Sequence, residues 1–488
     1  MSSEIAILLA LAIPLLGSVL IALSGAYPNV REGITLVISA LLALAVYSLV
    51  PKVLAGARPT LELVEIIPGV PLRFTVEPLG MLFAAVASLL WPINSLYSIG
   101  YMRANKESHQ TRFYVCFAIA IASTMGVALA GNLFTLFIFY EAISLSTYPL
   151  VTHKGTSDAI QAGRVYLGIL LGTSIGFFLL AILWTWYSAG TLDFRVGGIL
   201  AGHVHGPQLG ILLFLYMFGI GKAALMPVHR WLPAAMVAPT PVSALLHAVA
   251  VVKGGVFAVV KVIVYIFGLE LLNAEAGSTH WLLYVAGFTL IVASVTALRQ
   301  DNLKRRLAYS TISQLSYVVL GAALFAPLAV MGAALHIAAH AFGKITLFFA
   351  AGSIYTATHK TEISQLNGIG RRMPWTMGAF AVGSLSMIGL PLAAGFISKW
   401  YLLQGAFQAG RWLALGIIVL STLLNAAYFV PIVYAAFFKP EDNRSLEHGE
   451  APWPVVVALV ATAVLTVLLF LFPGTALRLA EQITVEVR

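Results

Sequence analysis

The chain has 488 residues, 60% hydrophobic and only 10% charged, with one cysteine and a formal net charge of +9. Soluble globular chains are nearer half apolar and a quarter charged, so the composition excludes an ordinary soluble domain and points to a polytopic membrane protein. A single Cys116 excludes a disulfide framework, a Cys-ligated iron–sulfur cluster and a structural zinc site within the chain, and basic residues confined to short loops argue for membrane orientation, not nucleic acid.

A span needs about twenty apolar residues. On that rule fourteen spans are predicted, starting near residues 5, 33, 78, 113, 132, 163, 208, 240, 280, 306, 328, 375, 410 and 453. The N-terminal MSSEIAILLALAIPLLGSVLIALSG lacks a basic leader region and is long enough to span, so it reads as the first helix. No connection is long enough for a separate soluble domain. The longest are 56–77, 188–207 and 439–450. Loops after odd-numbered spans hold sixteen Lys and Arg, including Lys439 and Arg444, whereas the even loops and the C-terminal tail, with Arg488, hold seven. By the positive-inside rule the odd loops are cytoplasmic and both termini face outward; the expected location is the cell (inner) membrane of a prokaryote. The other five basic residues, Lys222, Lys253, Lys261, Lys344 and Lys399, fall inside predicted spans.

A lysine at helix-centre depth costs at least about 2.5–3.5 kcal/mol, so such residues usually pair or line a polar path. The fifth span, FTLFIFYEAISLSTYPL, holds Glu141, the single acidic residue at mid-span. A lone buried carboxylate is either protonated or ionised beside a cation, and Lys222 is a candidate partner. Lys222 lies in the seventh span, YMFGIGKAALMPVHRWLP, among helix-weakening Gly219, Gly221 and Pro227. Its GIGK is not a phosphate loop: Tyr216 stands where the first glycine is required and Ala223 follows the lysine. The eighth span carries His247 and Lys253; Lys261, nearer the span's end, can snorkel, and a structural role is as good a reading for it. In the eleventh, His336, His340 and Lys344 are four residues apart and share one helix face. The twelfth, MIGLPLAAGFISKW, repeats the combination of breakers and a lysine, with Gly389, Pro391, Gly395 and Lys399.

The plainer readings are a buried lysine neutralised for structure alone, and histidines bonded to carbonyls of neighbouring helices. Four deep lysines in one chain weigh against the first. Imidazoles that titrate near neutrality can instead pass protons along with water. The two histidines lack a third ligand at a metal-site spacing, and there is no GxGxxG, HExxH or Ser–His–Asp pattern. No metal, cofactor or catalytic residue is expected in this chain. The broken spans are the seventh and twelfth, five apart, which suggests an inverted repeat around an ion path. The expected organisation is 1–112 (helices 1–3), 113–270 (first repeat, helices 4–8), 271–438 (second repeat, helices 9–13) and 439–488 (loop, helix 14 and tail).

At FIFYEAISLSTYPLV, GIGKAALMPVHRWLPAAMVAPTPVSALLHAVAVVKGGVF, DNLKRRLAYSTISQLSYV and GLPLAAGFISKW, over roughly residues 60–440, the chain resembles a known family. These are the antiporter-like subunits of Mrp cation/proton antiporters (nearest their D-type member), respiratory complex I (L, M and N) and membrane-bound hydrogenases. The resemblance implies an all-α fold of about fourteen transmembrane helices, with two inverted five-helix repeats and broken helices 7 and 12. It implies that Glu141 and Lys222 form the coupling pair of a first half-channel and that Lys253 bridges toward the centre. His336, His340 and Lys344 would belong to a central hydrophilic axis, with Lys399 ending the second half-channel. The M-type member of complex I has a glutamate where this chain has Lys399, which favours a D-, N- or L-like identity. The partners implied are other membrane subunits, the lipid bilayer and protons, with sodium left open. The chain would not be catalytic by itself, although it could serve a redox-driven pump. Two other readings stay open: a stand-alone secondary transporter of a small organic cation or amino acid, and a scaffold whose buried charges only hold helices together.

Overall fold

The computed structural model describes residues 2–441 and 449–486. Arg444 and Arg488, counted in the charge balance above, lie outside the described residues, as does part of the 439–450 loop. The chain runs α1 Ser3–Leu23, α2 Pro28–Leu54, strands β1 Thr60–Ile67 and β2 Val70–Thr75, α3 Pro78–Ala104, α4 Gln110–Ala128, α5 Leu133–Val151, α6 Ser157–Ala189 and α7 Gly206–Gly219. It continues with α8 Thr240–Phe267, α9 Ala276–Leu298, α10 Leu303–Ala323, α11 Pro327–Thr358, α12 Pro374–Ile388, α13 Ala394–Gln408, α14 Trp412–Phe438, α15 Trp453–Leu471 and α16 Gly474–Glu486. Among the described residues, eleven helices are long and apolar enough to cross a membrane. The polar α10, the short α7 and the half-helices α12 and α13 fall outside that number, and the expected fourteen spans are compatible with this order.

Sequence chemistry sets the helix ends. Proline opens α2, α3, α11 and α12, where its missing N–H and fixed φ suit the first turn. Asn132 caps α5 by accepting from Thr135 N at 2.8 Å, and Asn302 caps α10 by accepting from Arg305 N at 3.1 Å. Each cap is tied to the chain that follows the next helix. Asn132 bridges Asp193 beyond α6, and Asn302 bridges Glu362 beyond α11. Each following leucine N–H then donates across the bridge, Leu133 to Leu192 and Leu303 to Thr361, both at 2.9 Å.

The 56–77 connection, expected to be a plain linker, folds into the antiparallel β1–β2 hairpin. Arg73 fastens it, with Nε on Glu62 at 2.6 Å and Nη1 on Asp193 at 2.7 Å. Helices α8 and α11 form the axis of the bundle: their apolar windows are wholly buried, against a third for α14 and α15, which face outward.

Lys261 is held at the edge of this core. Its Nζ meets Glu77 Oε1 at 3.0 Å and the Ala130 carbonyl at 2.7 Å, and lies over the Phe194 ring. Glu77 also caps α3, accepting from Leu79 and Gly80 N–H, and accepts from the Tyr265 hydroxyl. Breaking a buried pair leaves an uncompensated charge, so Glu77→Ala should destabilise the fold by about 3–5 kcal/mol. The double change Glu77→Ala with Lys261→Met should recover much of that loss. Unfolding of the detergent-solubilised protein measures both, and an unchanged midpoint in Glu77→Ala would refute the anchoring role.

Candidate proton path

Lys222 sits where α7 stops. Gly219 ends the helix, Gly221–Ala223 make one tight turn, and Ala224 takes a left-handed φ of +57°. Close packing fixes the break. A Cβ on Gly219 would strike the backbone of Phe178, and one on Gly221 would strike Thr173 Oγ1. On the other side, a Cβ on Gly255 of α8 would strike the backbone of Lys222 and Ala223. The lysine's main chain is thus wedged between α6 and α8. Pro227 lies further along the same interruption, before Trp231, whose indole N–H donates to the Gly221 carbonyl at 3.0 Å.

The Lys222 side chain is fully buried. Its Nζ donates to the Tyr140 carbonyl at 2.7 Å and lies 3.2 Å from the centroid of the Tyr140 ring, while its own N–H donates to the Tyr140 hydroxyl at 3.1 Å. Tyr140 therefore cages the ammonium. Glu141 is the next residue on α5, but successive helical side chains diverge by roughly 100°. Both Glu141 carboxylate oxygens are buried without a hydrogen-bond partner among the described residues. The structure brings Glu141 and Lys222 to the same turn of α5 and does not join them in an ion pair.

Further in, His247 lies on α8 with neither ring nitrogen hydrogen-bonded among the described residues, its ring centroid 4.7 Å from that of Phe348. One and a half turns on, Lys253 Nζ makes a hydrogen bond to His340 Nδ1. This contact joins α8 to α11. The His340 and His336 rings lie nearly parallel with centroids 6.1 Å apart. His336 is bonded on both sides, Nε2 to Gln314 Oε1 at 3.0 Å and Nδ1 to Ser398 Oγ at 2.9 Å. Gln314 donates its amide to the Met387 carbonyl at 3.2 Å, which turns its oxygen to the imidazole and places the proton on Nε2. Lys344, the third member of the stripe, donates to Ser310 Oγ at 2.8 Å. The Tyr428 hydroxyl is bonded to that serine, at 3.1 Å, and donates to Asn425.

The second break mirrors the first in chemistry. α12 ends at Ile388, Gly389 takes φ +88°, Pro391 sits in the turn, and α13 opens at Ala394. Lys399 reaches back over the gap. Its Nζ donates to the carbonyls of Met387 at 2.8 Å and Ile388 at 3.0 Å, and lies 4.4 Å from the Tyr317 ring centroid. A helix C-terminus leaves carbonyls unpaired and carries partial negative charge, and Lys399 satisfies both. Gly389 is required by its φ and by space, because a Cβ there would press on Lys399 Cδ. Gly389→Ala should therefore cost about 1–3 kcal/mol of stability and push Lys399 off its carbonyls. Thermal unfolding and transport assays should fall together, and wild-type values in both would contradict this role.

The buried lysines and histidines are thus visible in the sequence. Their neutral partners, Tyr140, Ser310, Gln314, Tyr317, Ser398, Asn425 and Tyr428, are not among the residues that sequence reasoning picks out. The available signal is the density of hydroxyl and amide groups in YSTISQLSY of α10.

The family NADH:quinone oxidoreductase/Mrp antiporter, TM, matches residues 130–425. The N subunit of the NADH-quinone oxidoreductase of Desulforudis audaxviator is 33% identical over 387 residues, covering 78% of this chain and 76% of that protein. The D subunit of the Na(+)/H(+) antiporter of Alkalihalophilus pseudofirmus is 28% identical over 404 residues, 80% of each. A chain of the Mrp complex from Dietzia sp. shares the fold, with a TM-score of 0.88 at 20% identity over 100% of this chain and 98% of that one.

Proposed function

Because the chain belongs to the NADH:quinone oxidoreductase/Mrp antiporter membrane-subunit family, we propose that it relays protons within a multisubunit membrane complex. One observation carries the reading: a line of buried titratable groups runs from the Lys253–His340 contact through His336 to Ser398 and its neighbour Lys399, with Lys344 buried one turn from His340 on α11 and bonded to Ser310. Glu141, Lys222 and His247 extend it into the first half of the chain. The unbonded oxygens of Glu141 and nitrogens of His247 fit sites where water completes the connection. Relatives and structural neighbours are subunits of Mrp and respiratory assemblies, and the partners proposed here are subunits of that kind. Protons are the proposed cargo, with sodium as the counter-ion if the assembly is an antiporter. The basic-residue count favours odd loops cytoplasmic and both termini outward, and the membrane we propose is the inner membrane of a prokaryote.

The matched caps at Asn132 and Asn302 support the division into repeats 113–270 and 271–438. Five helices, an odd number, separate the two caps, so the same module recurs at opposite ends of the bundle. The test is proton movement in vesicles holding the whole purified complex, read by a pH-sensitive dye under a sodium gradient and, separately, under an electron donor. A dye response that requires this chain is expected under one of them; a response that persists without it would overturn the proposal.

A further inference from the structure

A second polar site lies apart from the proton path. It is a pocket of about 170 Å³ at the odd-loop end of the bundle, lined among others by Lys154, Lys304, Lys360, Tyr101, Tyr355 and Thr240. Several water molecules' volume, at about 30 Å³ each, would fill it, so a tetrahedral oxyanion has room. Its walls come from both halves of the chain. Lys154 follows α5, Thr240 opens α8, Lys304 stands in the first turn of α10 and Lys360 follows α11. Two helix N-termini therefore meet three lysine side chains at one cavity, and both features favour negative charge.

The groups already present do not cancel that charge. Lys304 Nζ donates to the Ala238 carbonyl at 2.6 Å, which fixes its position and leaves at least one N–H for another acceptor. Glu107 is a carboxylate near Lys154 and Lys304: burial pushes its carboxyl above the ordinary value, while the two lysines pull it down. Tyr101 and Tyr355 end α3 and α11 with rings 6.5 Å apart, and Thr240 bonds to the Tyr101 hydroxyl at 3.5 Å. Lys154, Lys304 and Lys360 stand in or beside the loops after α5, α9 and α11, which puts the pocket at the loop end of the bundle.

We propose that this pocket binds a phosphoryl anion, supplied by an anionic lipid headgroup or by free phosphate, and so ties the two halves of the chain together. The proposal does not depend on the proton relay. Its test uses the full chain. One arm titrates inorganic phosphate in detergent and follows the unfolding temperature. The other places the protein in nanodiscs of phosphatidylcholine with phosphatidylglycerol and reads the retained lipid by native mass spectrometry. Lys154→Gln with Lys360→Gln removes two charge-assisted contacts and spares the Lys304–Ala238 bond. It should weaken binding about tenfold or more. The single Lys360→Gln should fall between the double variant and wild type. A saturable response to phosphate alone identifies the free anion, and selective retention of phosphatidylglycerol identifies the headgroup. Binding of neither by the wild type, or equal affinity in the wild type and the double variant, overturns the site.

Discussion

Lys222→Ala and Glu141→Ala are each expected to lower proton flux about 100-fold or more while the complex still assembles, the scale lost with a positioned proton-transfer group. Assembly should survive because Lys222 holds its place through the backbone, wedged between α6 and Gly255 of α8. The discriminating substitution is Lys222→Arg. Arginine keeps the positive charge and can still lie over the Tyr140 ring, yet it does not release its proton. A relay predicts that Lys222→Arg is as inactive as Lys222→Ala. A scaffold that needs only a cation beside Tyr140 predicts near-normal flux, as does restored flux after exchanging the charges at 141 and 222. Flux through everted vesicles, normalised to assembled complex, separates these outcomes, and an active Lys222→Arg protein removes Lys222 from the path.

Charge in an apolar span is expensive, and that expense made Glu141, Lys222, Lys253, Lys344 and Lys399 legible without a structure. The breaks at Gly219–Pro227 and Gly389–Pro391 were legible for a related reason, since glycine and proline beside a buried lysine conflict with an unbroken helix. What the sequence could not show is how each charge is satisfied. Lys222 takes a carbonyl and a ring from Tyr140, the neighbour of its expected partner, and one helical position separates those two outcomes. Lys399 takes the carbonyls of its own broken helix, a contact that exists only once α12 and α13 fold back on each other. Serine, tyrosine and glutamine cost little in a span and therefore carry little signal singly. Gln314 becomes informative only when α10 packs against α11 and points it at His336. Glu77 was hidden differently: it reads as a loop residue ahead of Pro78, and only the approach of α8 shows that it holds Lys261. Asn132-Leu133 and Asn302-Leu303 are two alike helix starts, a likeness that gains meaning only from the bridges to Asp193 and Glu362.

His340→Gln should disconnect the two halves of the path without disturbing their structure. The Lys253–His340 hydrogen bond is a direct contact between titratable groups of α8 and α11, so a proton crossing between them passes this pair. A hydrogen bond between two nitrogens needs one donor and one acceptor. When Lys253 is the ammonium, His340 Nδ1 is the acceptor; when Nδ1 carries the proton, Nζ must be the neutral amine. Both groups charged at this separation would repel by about 4 kcal/mol or more even at an effective dielectric of 20, and no carboxylate bonds to either among the described residues. The pair therefore carries at most one positive charge, and in the proposed relay a proton taken up by one group crosses by passing to the other. Glutamine at 340 can accept from Lys253 through its amide oxygen and keeps the helix contact, but it cannot take the proton. The expected result is flux reduced about 100-fold or more, with unfolding temperature and assembly close to wild type. Lys253→Met should match it in flux. His336→Gln should do less if Ser398, Tyr317 and water can bridge to Lys399, since a hydroxyl and water can pass a proton where an amide cannot. Normal flux in His340→Gln would show that protons bypass this contact, and the path would then need a different link between α8 and α11.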